Sequence, residues 1–201
     1  MSKVKICGLR RIEDIEFINM YRPDACGFIL SKPFKRYVDK EQLRKMRQSL
    51  NPSVKAFGVF VNEPLSYISE YVEEGLIGAV QLHGEEDDSY IQELKNRYPS
   101  LTVMKAFTVT SREVLAQAEK SSADIILLDS GKGTGRTFSW QLLQGFQRPY
   151  VLAGGLNPDN VQEAVRTLNP LGVDTSSGVE TEGFKDREKI RLFIERAGKE
   201  I

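Results

Sequence analysis

The chain has 201 residues, with 28 basic and 28 acidic side chains and one histidine. A net charge near zero is unlike a dedicated nucleic-acid-binding protein, which carries a basic surplus, and no apolar run is long enough to span a bilayer. Two cysteines, Cys7 and Cys26, are too few for a secreted disulfide scaffold and too far apart for a zinc cluster. Because the N-terminal residues lack a signal-peptide core, we expect a cytoplasmic protein, and the length predicts one domain over residues 1–201.

Eight short runs of apolar or β-branched residues are predicted to be strands. In chain order they are 4–7, 25–30, 54–61, 79–82, 102–107, 124–129, 150–153 and 173–175. Helical patterns separate most of them, with apolar residues spaced three and four apart within 43–50, 65–72, 91–98, 161–168 and 190–197. Strands that alternate with helices pair in parallel through right-handed crossovers.

Helix boundaries have their own signals. Asp39 followed by Gln42 has the spacing of a capping box. Asn157 and Pro158 are typical of an N-cap followed by the first helical residue. Gly75 is positioned to end a helix.

Two architectures fit this alternation. Eight βα units average about 25 residues each, which is the size of tightly connected pairs in a small (β/α)8 barrel. A doubly wound sheet usually has five or six strands, and it becomes preferable if the strand at 102–107 or a helix after Thr137 is absent. We predict the α/β class, with a small single-domain (β/α)8 TIM barrel.

Small and reactive residues follow the predicted strands, where a parallel barrel has its active site. Segments 153–158 and 174–180, rich in glycine and serine, follow the seventh and eighth strands, where such barrels commonly bind phosphate. Free N–H groups of a glycine turn or a helix N-terminus attract an anion. These segments therefore predict a phosphate site, with two ordinary turns as the alternative.

The loop at 129–137 has three alternating glycines. Its G-x-G-x-G spacing matches neither a dinucleotide fingerprint nor a P-loop, so it is interpreted as a flexible active-site loop or an ordinary surface loop. Asp129 opens this loop directly after an apolar run. That environment can raise a carboxyl pKa and suit a general acid, although a turn or capping residue is the alternative.

Three other strand-end or loop residues have two interpretations each. Cys7 is either a small buried hydrophobe or a thiolate base or nucleophile, and its position alone does not decide. Arg36 either binds a substrate carboxylate with its planar fork or belongs to a solvated basic loop. His83 has no neighbours at metal-ligand spacing, and a hydrogen-bonded strand-end residue is the favoured interpretation.

Six motifs occur in order from the first strand to the eighth. They are KICGL at 5–9, GVFVN at 58–62, QLHGE at 81–85, LDS at 128–130 with GTG at 133–135, LAGGL at 152–156, and GVD at 172–174 with SSGVE at 176–180. Together the motifs resemble the phosphoribosylanthranilate isomerase family of tryptophan biosynthesis. The resemblance covers nearly the whole chain.

The resemblance implies an enzyme that needs no cofactor or metal and acts on a small phosphorylated aminosugar. Its substrate would be N-(5-phosphoribosyl)anthranilate, converted by an Amadori rearrangement to 1-(2-carboxyphenylamino)-1-deoxyribulose 5-phosphate. Cys7 would be the general base and Asp129 the general acid. The expected substrate-binding residues are Arg36 for the anthranilate portion, Gly154, Gly155, Ser176 and Ser177 for the phosphate, and His83 and Asp174.

Three alternative functions would differ from this one in their catalytic residues or in whether the ligand is converted. A histidine-pathway isomerase performs the same rearrangement but would carry a carboxylate at the position of Cys7. Indole-glycerol-phosphate synthase expects a catalytic lysine constellation that has no counterpart here. A phosphate-binding protein without turnover would bind the ligand and leave it unchanged. The sequence does not indicate an oligomeric state.

Overall fold

The computed structural model describes residues 2–129, 140–143 and 145–198. Eight parallel strands close into a barrel in which each strand pairs with its neighbours in chain order and the first pairs with the eighth. They are β1 (Lys3–Cys7), β2 (Ala25–Ile29), β3 (Lys55–Phe60), β4 (Ala79–Leu82), β5 (Thr102–Thr108), β6 (Ile125–Asp129), β7 (Tyr150–Ala153) and β8 (Gly172–Thr175). The barrel prediction is confirmed, and the doubly wound sheet is wrong.

Seven α-helices occur in the described part of the chain, and each buries one face. They are α1 (Ile12–Tyr21), α2 (Lys40–Ser49), α3 (Leu65–Glu73), α4 (Asp88–Arg97), α5 (Arg112–Lys120), α6 (Val161–Leu168) and α7 (Arg187–Arg196). Within the described ranges, no helix is long and apolar enough to cross a membrane.

Between β6 and β7 the described residues hold one short 3-10 helix, Trp140–Leu143. The predicted glycine loop from Ser130 to Thr137 lies outside the described residues. A second 3-10 helix, Ser177–Val179, follows β8. The helix Ser177–Val179 begins two residues after the end of β8, and Ser177 and Gly178 line the cleft described below.

Two helix starts differ from their predictions. Asp39 caps α2 by accepting a hydrogen bond from the Gln42 N–H at 2.8 Å, but the Gln42 side chain donates to the Arg10 carbonyl, so only this half of the predicted box forms. Helix α6 has Asn160 as its N-cap, so the prediction at Asn157 is wrong. The Asn157 side chain instead accepts from the Asp159 N–H at 2.8 Å, because asparagine readily closes a local turn two residues on.

The barrel interior is layered. An apolar cluster fills it with small and large side chains together, namely Ala25, Phe57, Ala79, Met104, Ala106, Leu127, Val151 and Ala153. Buried polar side chains also lie on the strands, among them Lys5, Gln81, Lys105 and Asp174. Charged groups are rarely buried without partners, so this polar layer is the first indication of a functional site.

A small hairpin after β8 has no counterpart in the predictions. Strands β9 (Glu180–Thr181) and β10 (Phe184–Lys185) pair antiparallel. The two residues between them, Glu182 and Gly183, have φ of +53° and +81°, and a type I′ two-residue turn requires a positive φ at both positions. The hairpin brings Glu180 and Lys185 to the C-terminal end of the barrel.

Candidate active site

One cleft at the C-terminal ends of the strands brings together all nine residues predicted for the site. Its volume is about 230 Å³. The nine are Cys7, Arg36, His83, Asp129, Gly154, Gly155, Asp174, Ser176 and Ser177. They are contributed by six strands or the loops after them, so closure of the barrel is what makes them neighbours.

Cys7 ends β1 and is only 6% exposed. Burial raises the pKa of its thiol, and the Asp174 carboxylate raises it further, while the ammonium groups of Lys5 and Lys185 lower it. On the neighbouring strand Gly27 is in register with Cys7, and a Cβ at Gly27 would lie 2.7 Å from the Cys7 sulfur. The glycine therefore leaves room for the sulfur to point into the cleft.

Asp129 ends β6 on another side of the cleft. Its Oδ2 lies 3.6 Å from His83 Nε2. The other ring nitrogen, His83 Nδ1, lies 2.9 Å from the amide nitrogen of Gln81. An amide nitrogen only donates, so Nδ1 accepts and a neutral His83 presents its Nε2–H towards Asp129. His83 is thus a hydrogen-bonded strand-end residue, as its sequence position predicted.

Gln81 is a cleft residue that the sequence analysis missed. Its side chain is buried, and its Oε1 has no hydrogen-bond partner among the described residues. Gln81 fell inside the predicted fourth strand, where alternation alone does not tell an inward polar residue from an outward one. A buried acceptor without a partner is costly, and it fits a site that receives a polar ligand.

The loops after β7 and β8 form the side of the cleft predicted to bind phosphate. Gly154 and Gly155 have φ of +92° and +66°, a conformation that favours glycine. The Ser176 hydroxyl is buried and has no partner among the described residues. A Cβ at Gly178 would lie 1.9 Å from the Leu156 carbonyl oxygen, so the two loops pack in direct contact.

Arg36 is held by a carboxylate that sequence reasoning did not identify. Its Nε and Nη2 donate to the two carboxylate oxygens of Glu180, each at 2.7 Å. Lys185 Nζ donates to Glu180 Oε1 at 2.7 Å and to the Ser176 carbonyl at 2.8 Å. This chain connects the predicted carboxylate-binding arginine to the predicted phosphate loop. Glu180 closes the SSGVE motif, which was its one available signal.

The Arg36 side chain also depends on Gly8. A Cβ at Gly8, whose φ is +77°, would lie 2.6 Å from Arg36 Cδ and 2.8 Å from the Ser176 hydroxyl oxygen. The first loop of the barrel therefore stays free of side-chain atoms where Arg36 and Ser176 converge. This close approach explains the glycine that follows Cys7.

Replacing Glu180 by glutamine is expected to lower the free energy of unfolding by on the order of 3 kcal/mol at pH 7, because two cations lose their shared anion in a mostly buried setting. Burial alone would raise the pKa of Glu180, but hydrogen bonds from Arg36 and Lys185 outweigh it and hold that pKa below its usual range. The stabilisation is therefore present above the ordinary glutamate pKa of about 4.3 and is lost as pH falls through the lower folded value.

Urea unfolding from neutral to acidic pH measures this contribution. The difference between Glu180→Gln and the parent protein should narrow as the pH falls. Glu182→Gln, at an exposed turn position of the same hairpin, serves as the matched control and should leave stability unchanged. A difference that is constant across the pH range would contradict an ion-pair origin.

Comparison with known proteins gives one consistent result. Residues 4–196 match the family model described as N-(5'phosphoribosyl)anthranilate (PRA) isomerase. An N-(5'-phosphoribosyl)anthranilate isomerase from Thermoanaerobacter sp. is 43% identical, with 98% of each chain covered. The solved phosphoribosyl anthranilate isomerase from Thermotoga maritima is 38% identical, with a TM-score of 0.88 and 98% of each chain covered. A structure of such an enzyme in complex with reduced 1-(o-carboxyphenylamino)-1-deoxyribulose 5-phosphate matches with the same identity, TM-score and coverage.

Proposed function

The chain belongs to the N-(5'-phosphoribosyl)anthranilate isomerase family, and we propose that it catalyses the family's reaction as an Amadori rearrangement with Cys7 as general base and Asp129 as general acid. It is an isomerase of tryptophan biosynthesis, converting N-(5'-phosphoribosyl)anthranilate to 1-(2-carboxyphenylamino)-1-deoxyribulose 5-phosphate. One observation supports the two roles: Cys7 and Asp129 end strands separated by β7 and β8, and both line the same cleft.

In the first step Asp129, in its protonated form, donates a proton to the furanose ring oxygen. The bond between that oxygen and C1′ breaks, and the nitrogen lone pair forms a protonated imine with C1′. A proton donor lowers this barrier because the leaving oxygen would otherwise depart as an alkoxide. The neighbouring His83 Nε2–H, 3.6 Å from Asp129 Oδ2, stabilises the carboxylate that remains.

In the second step the Cys7 thiolate removes the proton from C2′. The electrons of the C–H bond form the C1′–C2′ double bond, and the imine π electrons return to nitrogen, which gives an enolamine. The enolamine becomes the ketone as C1′ takes up a proton and the C2′ hydroxyl releases one. Transfer of the Cys7 proton to solvent and reprotonation of Asp129 restore the starting state. The enzyme exchanges only protons with the substrate, and the electrons lost at C2′ are gained at C1′ of the same molecule, so the proposed reaction requires no cofactor or metal.

The substrate has two anionic ends, and the cleft offers a counterpart for each. The N–H groups of Arg36 that Glu180 does not occupy would hold the anthranilate carboxylate, since a guanidinium can bind a second planar carboxylate through the ends of its two Nη groups. The positive-φ turn at Gly154–Gly155 and the unpartnered hydroxyl of Ser176, with Ser177 beside it, would bind the phosphate. Asp174 and His83 would contact the sugar between them.

We also propose that residues 1–201 form a single domain that works in the cytoplasm. The cleft supports a small-molecule substrate as the binding partner of this domain. Both cysteines are unpaired in the structure, as expected in a reducing compartment.

The value of kcat/KM is expected to follow a bell-shaped pH profile. Activity should fall at acidic pH as Cys7 takes up a proton and at alkaline pH as Asp129 loses one. The assay is turnover of freshly prepared N-(5'-phosphoribosyl)anthranilate, followed by loss of its anthranilate fluorescence. Binding of the phosphosugar without turnover by folded protein would identify a binding protein instead, and a flat profile would refute the paired acid and base.

A further inference from the structure

Lys5 lies two residues before Cys7 on β1, so its side chain points to the same face of the strand as Cys7, which lines the cleft. The Lys5 side chain is 4% exposed, and its ammonium group donates to Asp174 Oδ1 at 2.9 Å. Lys5 and Asp174 are also register partners where β1 meets β8 to close the barrel. This ion pair anchors the end of a flexible side chain beside the sulfur.

Gly27 allows the ammonium group and the sulfur to face each other. A Cβ at Gly27 would lie 2.7 Å from Cys7 Sγ and 3.1 Å from Lys5 Nζ, so both groups border the space that a side chain would occupy. Burial by itself would lower the pKa of Lys5, but the charges and hydrogen bonds of Asp174 and Cys7 outweigh it and raise that pKa. Lys5 therefore stays a cation in spite of its burial.

The charged groups around Cys7 carry a surplus of positive charge when its sulfur is neutral. Three cations face two carboxylates, contributed by several elements: Lys5 on β1, Arg36 after β2, Asp174 on β8, Glu180 on β9 and Lys185 on β10. The other titratable groups near Cys7 are the Cys26 thiol on β2 and, in the same cleft, His83 after β4 and Asp129 at the end of β6, both of which act electrostatically on Asp174. The negative charge of a Cys7 thiolate would offset this surplus, in opposition to the burial that raises the pKa of the thiol.

We propose that Lys5 is a positioning residue for the reaction: its ammonium group stabilises the thiolate form of Cys7, which accepts the C2′ proton. The inference rests on the proposed function, because it explains how a buried cysteine can act as a base. Burial and the Asp174 carboxylate both oppose ionisation of Cys7. A neighbouring ammonium is the type of group that lowers a cysteine pKa in reactive sites.

The test measures ionisation of the thiol directly and apart from activity. In a Cys26→Ala background, Cys7 is the sole cysteine. The ultraviolet absorbance of the thiolate is followed against pH, and subtraction of the matching Cys7→Ala protein removes the tyrosine signal. In Lys5→Gln, which keeps a donor for Asp174 but no charge, the thiolate midpoint should rise by at least about one pH unit. That shift corresponds to roughly a tenfold smaller thiolate fraction near neutral pH.

Catalytic activity should vary with the fraction of Cys7 in the thiolate form. We expect kcat/KM of Lys5→Gln at neutral pH to fall about tenfold with the thiolate fraction, and Lys5→Arg, which keeps the positive charge, to recover most of it. Gly27→Ala is the second variant, and it keeps every charge. Its added methyl group separates the ammonium from the sulfur, so its thiolate midpoint should also rise. Gly27→Ala takes the place of Lys5→Gln in this test if Lys5→Gln does not fold.

The outcomes separate this inference from the proposed function. An unchanged thiolate midpoint in a folded variant overturns the role of Lys5, while an inactive Cys7→Ala would still support Cys7 as the base. A raised midpoint with undiminished kcat/KM overturns Cys7 as the base and, with it, the part of Lys5 in the reaction. A raised midpoint together with reduced kcat/KM supports both.

Discussion

Cys7→Ala is expected to reduce kcat/KM for N-(5'-phosphoribosyl)anthranilate by about 100-fold or more, because the variant has no group to take the C2′ proton. Cys7→Ser should be as inactive, since a serine hydroxyl of nearly the same size does not ionise near neutral pH. Steady-state turnover of both variants, with circular dichroism to verify the fold, provides the measurement. The loss should appear in kcat, because proton abstraction follows substrate binding.

Cys26→Ala is the matched control for this prediction. Cys26 is fully buried on β2 and packs in the core outside the cleft lining. Its replacement removes the same chemical group from a neighbouring strand and should leave kcat/KM unchanged. Full activity in Cys7→Ala would keep the isomerase assignment and eliminate Cys7 as its base.

Asp129→Asn is expected to lower kcat by roughly 100-fold to 10,000-fold, the range typical of a lost general acid. Asparagine keeps the shape and an oxygen that can accept from His83, but it has no proton to give to the ring oxygen. KM should change far less than kcat, because substrate binding is assigned to Arg36 and to the loops after β7 and β8. The alkaline limb of the pH profile should also disappear.

The control here is Glu85→Gln, which replaces a carboxylate by an amide at an exposed position of the loop after β4. It makes the same chemical change near the mouth of the barrel and should leave kcat unchanged. Equal losses in both variants would point to a general electrostatic effect. An Asp129→Asn variant with parental kcat and an intact alkaline limb would remove Asp129 from the role of acid.

The two groups lie in different surroundings, as acid–base catalysis at one pH requires. Cys7 is buried among fixed charges, with Lys5 and Lys185 opposing the effects of burial and Asp174. The Asp129 side chain is 22% exposed and faces the edge of an imidazole ring. The thiol and the carboxyl group therefore lie in different electrostatic surroundings within one cleft.

Local sequence patterns predicted the framework well, and the reason is physical. The predicted bounds of each of the eight strands lie within one residue of the observed bounds, because buried parallel strands are continuous apolar runs bounded by polar loops. The helix caps were less predictable. An asparagine such as Asn157 serves equally well as a cap or as a turn residue, and neighbouring residues decide between the two.

The candidate site also has features that local sequence predicts and features that it does not. The sequence by itself determined the order of the strands and the reactive residues at their ends, because strand position depends on nearby residues. The tertiary structure alone decided that Lys5 meets Asp174 and that Arg36 meets Glu180, pairs 169 and 144 residues apart. Those contacts depend on the register at which β1 and β8 close the barrel and on the hairpin that follows β8. A local sequence pattern encodes neither the strand register nor the position of the hairpin. Many distant residues of opposite charge are equally suitable partners for Lys5 or Arg36.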